Sequence, residues 1–63
     1  MTGEEVRRLR RQLGVTQVEL AQLVGVAPNS VARWERGEMR VRESAARLMR
    51  LLAQQRRSLR RRR

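Results

Sequence analysis

The chain carries one four-residue pattern twice, Thr2-Gly3-Glu4-Glu5 and Thr16-Gln17-Val18-Glu19, and each copy is followed at helical distance by a glycine, Gly14 and Gly25. In Thr-x-x-Glu the threonine hydroxyl accepts from the backbone N–H three residues on, and the glutamate reaches back to the threonine N–H. Two donors that a helix start would leave unpaired are satisfied in this way. Glycine closes a helix because it enters the left-handed region without a Cβ clash. These marks bracket a first helix from about residue 3 to residue 13, and a short second helix of about two and a half turns that Gly25 stops. Apolar spacing agrees with both. Val6, Leu9 and Leu13 recur at i, i+3 and i+7 behind the first box, and Gln17, Leu20, Ala21 and Val24 share a face behind the second.

Pro28 suits the first position of a third helix, where its missing N–H is not needed, with Ala27 a poor N-cap before it. That helix carries Val31 and Trp34 inward and ends at Gly37, leaving Asn29, Ala32, Arg33 and Arg36 on the opposite face. A fourth helix begins at Arg42 or Glu43 with Ala45, Leu48, Met49 and Leu52 as its apolar stripe. It has no clear stop before the tail, Arg56 to Arg63, which holds six arginines in eight residues and reads as frayed when alone. Leu59 stays in register with Leu52 if the helix continues. Leu23 and Leu51 fall off the core stripes; they are ordinary exposed leucines or, if they share a surface, a dimer seam. No strand pattern or internal repeat occurs. The expected fold is all-α and compact, with four helices and five as the alternative.

At 63 residues the chain makes one small domain, which buries only about 60% of the surface its unfolded form exposes. Its apolar 40% is mostly Leu, Val and Ala, with one Trp and no Phe or Tyr, so the core is aliphatic and Trp34 belongs to it rather than to a base-stacking platform. Cys, His, Lys and Asp are all absent. That excludes disulfides, the usual zinc sites, thiol or imidazole catalysis and the P-loop lysine, so no enzyme activity, metal or cofactor is expected. Apolar runs stop at two or three residues and the first residues are acidic, which predicts a soluble, cytoplasmic protein.

Sixteen Arg against six Glu give a net charge of +10, which calls for a polyanionic partner. Residues 1–38 hold six Arg and five Glu, whereas residues 39–63 hold ten Arg and one Glu. Nucleic acid leads. A membrane surface follows poorly, because residues 53–63 offer only Ala53 and Leu59 as an apolar face. The chain divides into a domain over 1–55 and an arginine-rich tail over 56–63, whose charge suits DNA phosphates first and RNA or an acidic protein as alternatives.

Two short helices joined by Gly25-Val26-Ala27, with Ala21 at the crossing and Val31 opposite, have the spacing of a helix-turn-helix. The segment Gln17-Val18-Glu19-Leu20-Ala21-Gln22-Leu23-Val24-Gly25-Val26-Ala27, followed by Ser30-Val31-Ala32-Arg33-Trp34-Glu35-Arg36-Gly37, resembles the Xre family of lambda-repressor-like and Cro-like DNA-binding domains, over roughly residues 3 to 53. The resemblance implies a transcriptional regulator whose third helix lies in the major groove of double-stranded DNA. Pro28, Asn29, Ala32 and Arg33 would then face bases, Arg33 suiting guanine and Asn29 adenine or a nearby phosphate. Gln17, Ser30, Arg36, Arg40 and Arg42 would contact phosphates, and Arg10 and Glu35 would form a bridge between helix 1 and the end of helix 3. The chain departs from the family in having Ala27 where Ser or Thr usually caps the recognition helix, Pro28 where a polar base-reader often sits, and arginines in place of a fifth, dimerising helix. The expected role is a small repressor or autorepressor of phage, anti-CRISPR-associated or toxin–antitoxin type. It would bind an inverted-repeat operator as a homodimer on the nucleoid. The alternatives are an antitoxin-like module whose main partner is a protein such as a toxin, and an arginine-rich RNA binder.

Overall fold

The computed structural model describes the backbone of residues 1–61 and the side chains of residues 1–56. Four helices follow one another, α1 (Gly3–Leu13), α2 (Gln17–Val24), α3 (Ser30–Glu35) and α4 (Glu43–Arg61), with no strand among the described residues. Both capping boxes form. The Glu5 and Glu19 N–H groups donate to the Thr2 and Thr16 hydroxyls at 3.2 and 3.1 Å, and the Thr N–H groups donate back to the carboxylates at 3.4 and 2.9 Å. Gly14 and Gly25 end α1 and α2 at φ of 71° and 81°, a region that penalises any residue with a Cβ.

The four largest fully buried side chains are Val6, Leu20, Val31 and Met49, one from each helix. Around them sit Ala21, Trp34 and the alanines of α4, Ala45, Ala46 and Ala53. Alanines at these positions let the helix axes come close, so a core without Phe or Tyr still closes. Val41 is buried and Met39 packs against the same cluster, both from the α3–α4 loop, which the helical periodicities did not identify as core.

Two expectations are corrected. First, α3 starts at Ser30, not at Pro28. With Ala27 unable to cap, the chain makes a turn through Pro28 and Asn29 that the Ser30 N–H closes on the Ala27 carbonyl at 3.0 Å, and Asn29 takes the N-cap position without a side-chain cap bond. Second, Leu48 is 36% exposed, and Ala46 and Ala53 hold the inward positions beside Met49. The i, i+3, i+7 stripe of Ala46, Met49 and Ala53 brings the backbone of α4 closer to its neighbours than a stripe of leucines would. Leu23 and Leu51 lie at the surface. The helix α4 runs without a break into the arginine tail as far as Arg61; the side chain of Leu59 lies outside the described residues. Among those residues no helix is long and apolar enough to cross a membrane.

The start of α1 abuts the end of α3. A Cβ built on Gly3 would lie 2.6 Å from the Glu35 carbonyl oxygen and 2.7 Å from that of Trp34, so only glycine allows this approach. The α1 N-terminus, with its outward N–H groups, thus meets carbonyls at the C-terminal end of α3, an electrostatically favourable meeting of helix ends.

Candidate nucleic-acid interface

The two short helices cross at Ala21 and Val31, both fully buried. Burial of Val31 and Trp34 fixes the rotation of α3, and the side chains that then face solvent in and around it are Pro28, Asn29, Arg33 and Arg36, with Ala32 half-buried beside them. Ser30 is different. It is 9% exposed, sits at the first turn of α3 and lies at a groove of about 560 Å³ that Val24, Trp34 and Met39 also line. Arg40 and Arg42 are exposed and flank the same groove.

At the far end of α3, Arg36 donates from Nε to Glu38 Oε2 at 2.6 Å and from Nη2 to Oε1 at 3.3 Å. These hydrogen bonds, with the charges of Arg36 and Arg33, hold the Glu38 carboxyl below the usual carboxylate range, and they raise Arg36. The expected phosphate contact of Arg36 must therefore compete with a carboxylate already seated on it. Sequence reading assigned Glu38 no role. Its placement two residues after Arg36 was the available signal.

Behind this surface Glu35 gathers three helices. Its side chain is 2% exposed and accepts from Arg10 Nε at 2.7 Å, from Arg7 Nε at 3.2 Å and from the Gln17 amide at 3.3 Å. Arg10 also donates through Nη1 to the Val15 carbonyl at 3.3 Å, tying the α1–α2 loop into the same knot. Burial pushes the Glu35 carboxyl up, but the hydrogen bonds from Arg10, Arg7 and Gln17 and the charge of Arg10 outweigh it and leave the group below its ordinary value. The family resemblance implied the Arg10–Glu35 pair, whereas Arg7 and Gln17 were not brought to it. Arg7 lies three residues before Arg10 on one helix face, which was the signal for it. Gln17, at the first position of α2, reaches Glu35 from a separate helix. The cluster ties α1 and the start of α2 to the end of α3.

Among the described residues no group of His, Cys, Asp or Glu could hold a metal ion. The surface consists of hydrogen-bond donors and guanidinium charges on a short helix, an arrangement suited to reading and gripping a polyanion.

Residues 6–54 match the family described as Helix-turn-helix. Among curated proteins, an HTH-type transcriptional regulatory protein of Pyrococcus furiosus is 47% identical over 36 residues, which is 57% of this chain and 11% of that protein. The antitoxin PezA of Streptococcus pneumoniae is 40% identical over 37 residues, 59% of this chain and 23% of its own length. The chain thus spans less than a quarter of either relative. No solved structure matches it at comparable significance. The match covers α2, the turn and α3 together with the packing partners that orient them, and on that ground the chain belongs to the Xre/Cro-like helix-turn-helix family of DNA-binding regulatory domains.

Proposed function

We propose that this domain is a sequence-specific repressor of transcription that docks α3 in the major groove of double-stranded DNA and acts by occluding a promoter. The observation that carries the reading is the division of α3 into a buried side, Val31 and Trp34, and an exposed side bearing Arg33, with Asn29 exposed at its start. Arg33 presents a fork suited to the O6 and N7 acceptors of guanine, and Asn29 offers the donor and acceptor that adenine requires. Pro28 and Ala32 supply apolar surface against the groove floor. Gln17, Arg36, Arg40 and Arg42 contact phosphates on either side and fix the register without reading sequence. A phosphate at Gln17 would sit at the N-terminus of α2, where the helix dipole favours an anion. A repressor of this kind works in the cytoplasm, on the nucleoid.

One specific observation favours the toxin–antitoxin form of this role over the phage or anti-CRISPR-associated forms, namely the likeness to an antitoxin. The test is selection of duplexes from a random pool by the full chain, followed by titration of the selected duplex against random duplex and RNA at two salt concentrations. A two-fold symmetric consensus bound at least ~10³-fold more tightly than random DNA is the expected result. Equal affinity for every duplex, or preference for RNA, overturns it.

A further inference from the structure

Leu48 and Leu51 are 36% and 49% exposed, and Leu52 is half-buried beside them. At i, i+3 and i+4 they form one continuous apolar stripe along α4. Leu48 also lines the groove of about 560 Å³ between the α2–α3 turn and α4, so the stripe runs into a concave apolar floor that includes Val24, Val26 and Met39. Leu52 packs in part on the core, whereas the exposed parts of Leu48 and Leu51 are covered by nothing among the described residues, and the frame around them is cationic. Arg47 is exposed one position before Leu48 and four before Leu51, Arg40 and Arg42 border the groove, and Glu43 is the sole acid between residues 39 and 63.

We propose that the leucine stripe of α4 is a docking site for an acidic amphipathic helix of a partner protein. Such a helix lays leucine-type anchors at i, i+3 and i+7 into an apolar groove and sets its flanking carboxylates against the surrounding arginines. The charge pattern selects this occupant over the others. A second copy of the chain would bring nine net positive charges from its residues 39–63 against the same nine. It has few acids to offer in return, because Glu35 is buried, Glu38 is paired with Arg36, and Glu5 and Glu19 are held in capping boxes. Nucleic acid would engage the arginines and leave the leucines in water. A membrane requires a broader apolar face than three leucines.

The proposal is tested with the full chain and a fluorescent 18-residue peptide carrying Leu at i, i+3, i+7 and i+10 among Glu and Ala, beside a scrambled peptide of equal composition. Expected are saturable binding of the patterned peptide, affinity for the scrambled one lower by at least ~tenfold, and a loss of similar size for Leu48→Gln and Leu51→Gln. Both positions are exposed, so the variants should keep the parent's melting temperature and duplex-DNA affinity, which separates failure of docking from failure of folding or of the DNA reading. Equal affinity for both peptides would reduce the effect to bulk charge and overturn the proposal. Indifference of the patterned peptide to both leucine variants would do the same. Sedimentation showing a dimer of the free chain that Leu51→Gln dissociates would assign the stripe to a second copy instead.

Discussion

Glu35 is the side chain on which most of the molecule converges, since two guanidiniums and an amide from two other helices meet on a carboxylate that is 2% exposed. Removing one member of such a buried pair costs about 3–5 kcal/mol, and the 20% exposure of Arg10 sets the lower end here. A domain of 63 residues has about 3–9 kcal/mol in total, so Glu35→Ala should leave little of the fold at ambient temperature and lower the melting temperature by more than ~10 °C. An unchanged melting curve would remove the cluster from the account of stability. The pH dependence has a definite sign. Because the Glu35 carboxyl is lowered in the fold, its contribution is fully present above the unfolded value of about 4.3 and is lost as pH falls through the lower folded value. Thermal melts taken from pH 6 down to pH 2 should therefore fall more steeply for the parent than for Glu35→Gln. Arg33 has the opposite character, exposed and free of structural work. Arg33→Ala should leave the melting temperature alone, cost about 1–3 kcal/mol per half-site and relax preference at one base pair. A loss equal for all sequences would make Arg33 a phosphate contact.

Between elements, α1 comes close to the end of α3 over Gly3. Glycine inside a helix normally costs about 1 kcal/mol relative to alanine, so by propensity alone Gly3→Ala should stabilise. Here the added Cβ would meet two backbone carbonyls at 2.6 and 2.7 Å, and neither can rotate away. The overpacking cost of about 1–3 kcal/mol should win, and urea denaturation should show a lower midpoint for Gly3→Ala. The helix α4 poses a different question at the same scale, because its backbone continues to Arg61, past Ala53, the last buried residue among the described side chains. If the arginine segment serves DNA phosphates, deleting residues 56–63 should flatten the plot of log K against log salt by about three units, at about 0.9 per phosphate. Operator and random DNA should weaken alike and the preferred sequence should stay the same. Collapse of the fold on deletion would instead assign the last turns of α4 to the scaffold, a reading that the guanidinium of Arg56, reaching to about 4.0 Å from a Cβ built on Gly14, makes worth testing.

The described residues span 39 × 19 × 18 Å, and the chain carries nine of its ten net positive charges in residues 39–63. If α3 docks in the major groove as proposed, one copy covers only a few base pairs, and specificity on a genome then calls for two copies on an inverted repeat with half-site centres about 34 Å apart. A net charge of +10 opposes pairing in free solution, and DNA phosphates would offset that repulsion on such a site. Sedimentation at moderate salt should accordingly find two protomers per duplex. One protomer on a site lacking two-fold symmetry would refute the dimer.

What could be read from the sequence is what is settled within a few residues. The ends of α1 and α2 were legible because a capping box and a left-handed glycine complete their hydrogen bonds locally, whatever surrounds them. The helix-turn-helix was legible because a small residue at the crossing and a glycine at the turn are demanded by close contact between adjacent segments. Three features were not legible, because each depends on which groups the fold leaves available or brings together. The start of α3 depended on which turn Ala27 could close with Ser30 once no cap was available. The inward face of α4 could not be chosen from a helix with leucines and alanines on several sides, because only the distance to its neighbours prefers Ala46 and Ala53 over Leu48. The arrival of Arg7 and Gln17 beside Arg10 on Glu35, and the need for glycine at position 3, arise where α1, α2 and α3 meet, and a carboxylate or a missing Cβ acquires that meaning only when folding brings its partners within a few ångströms.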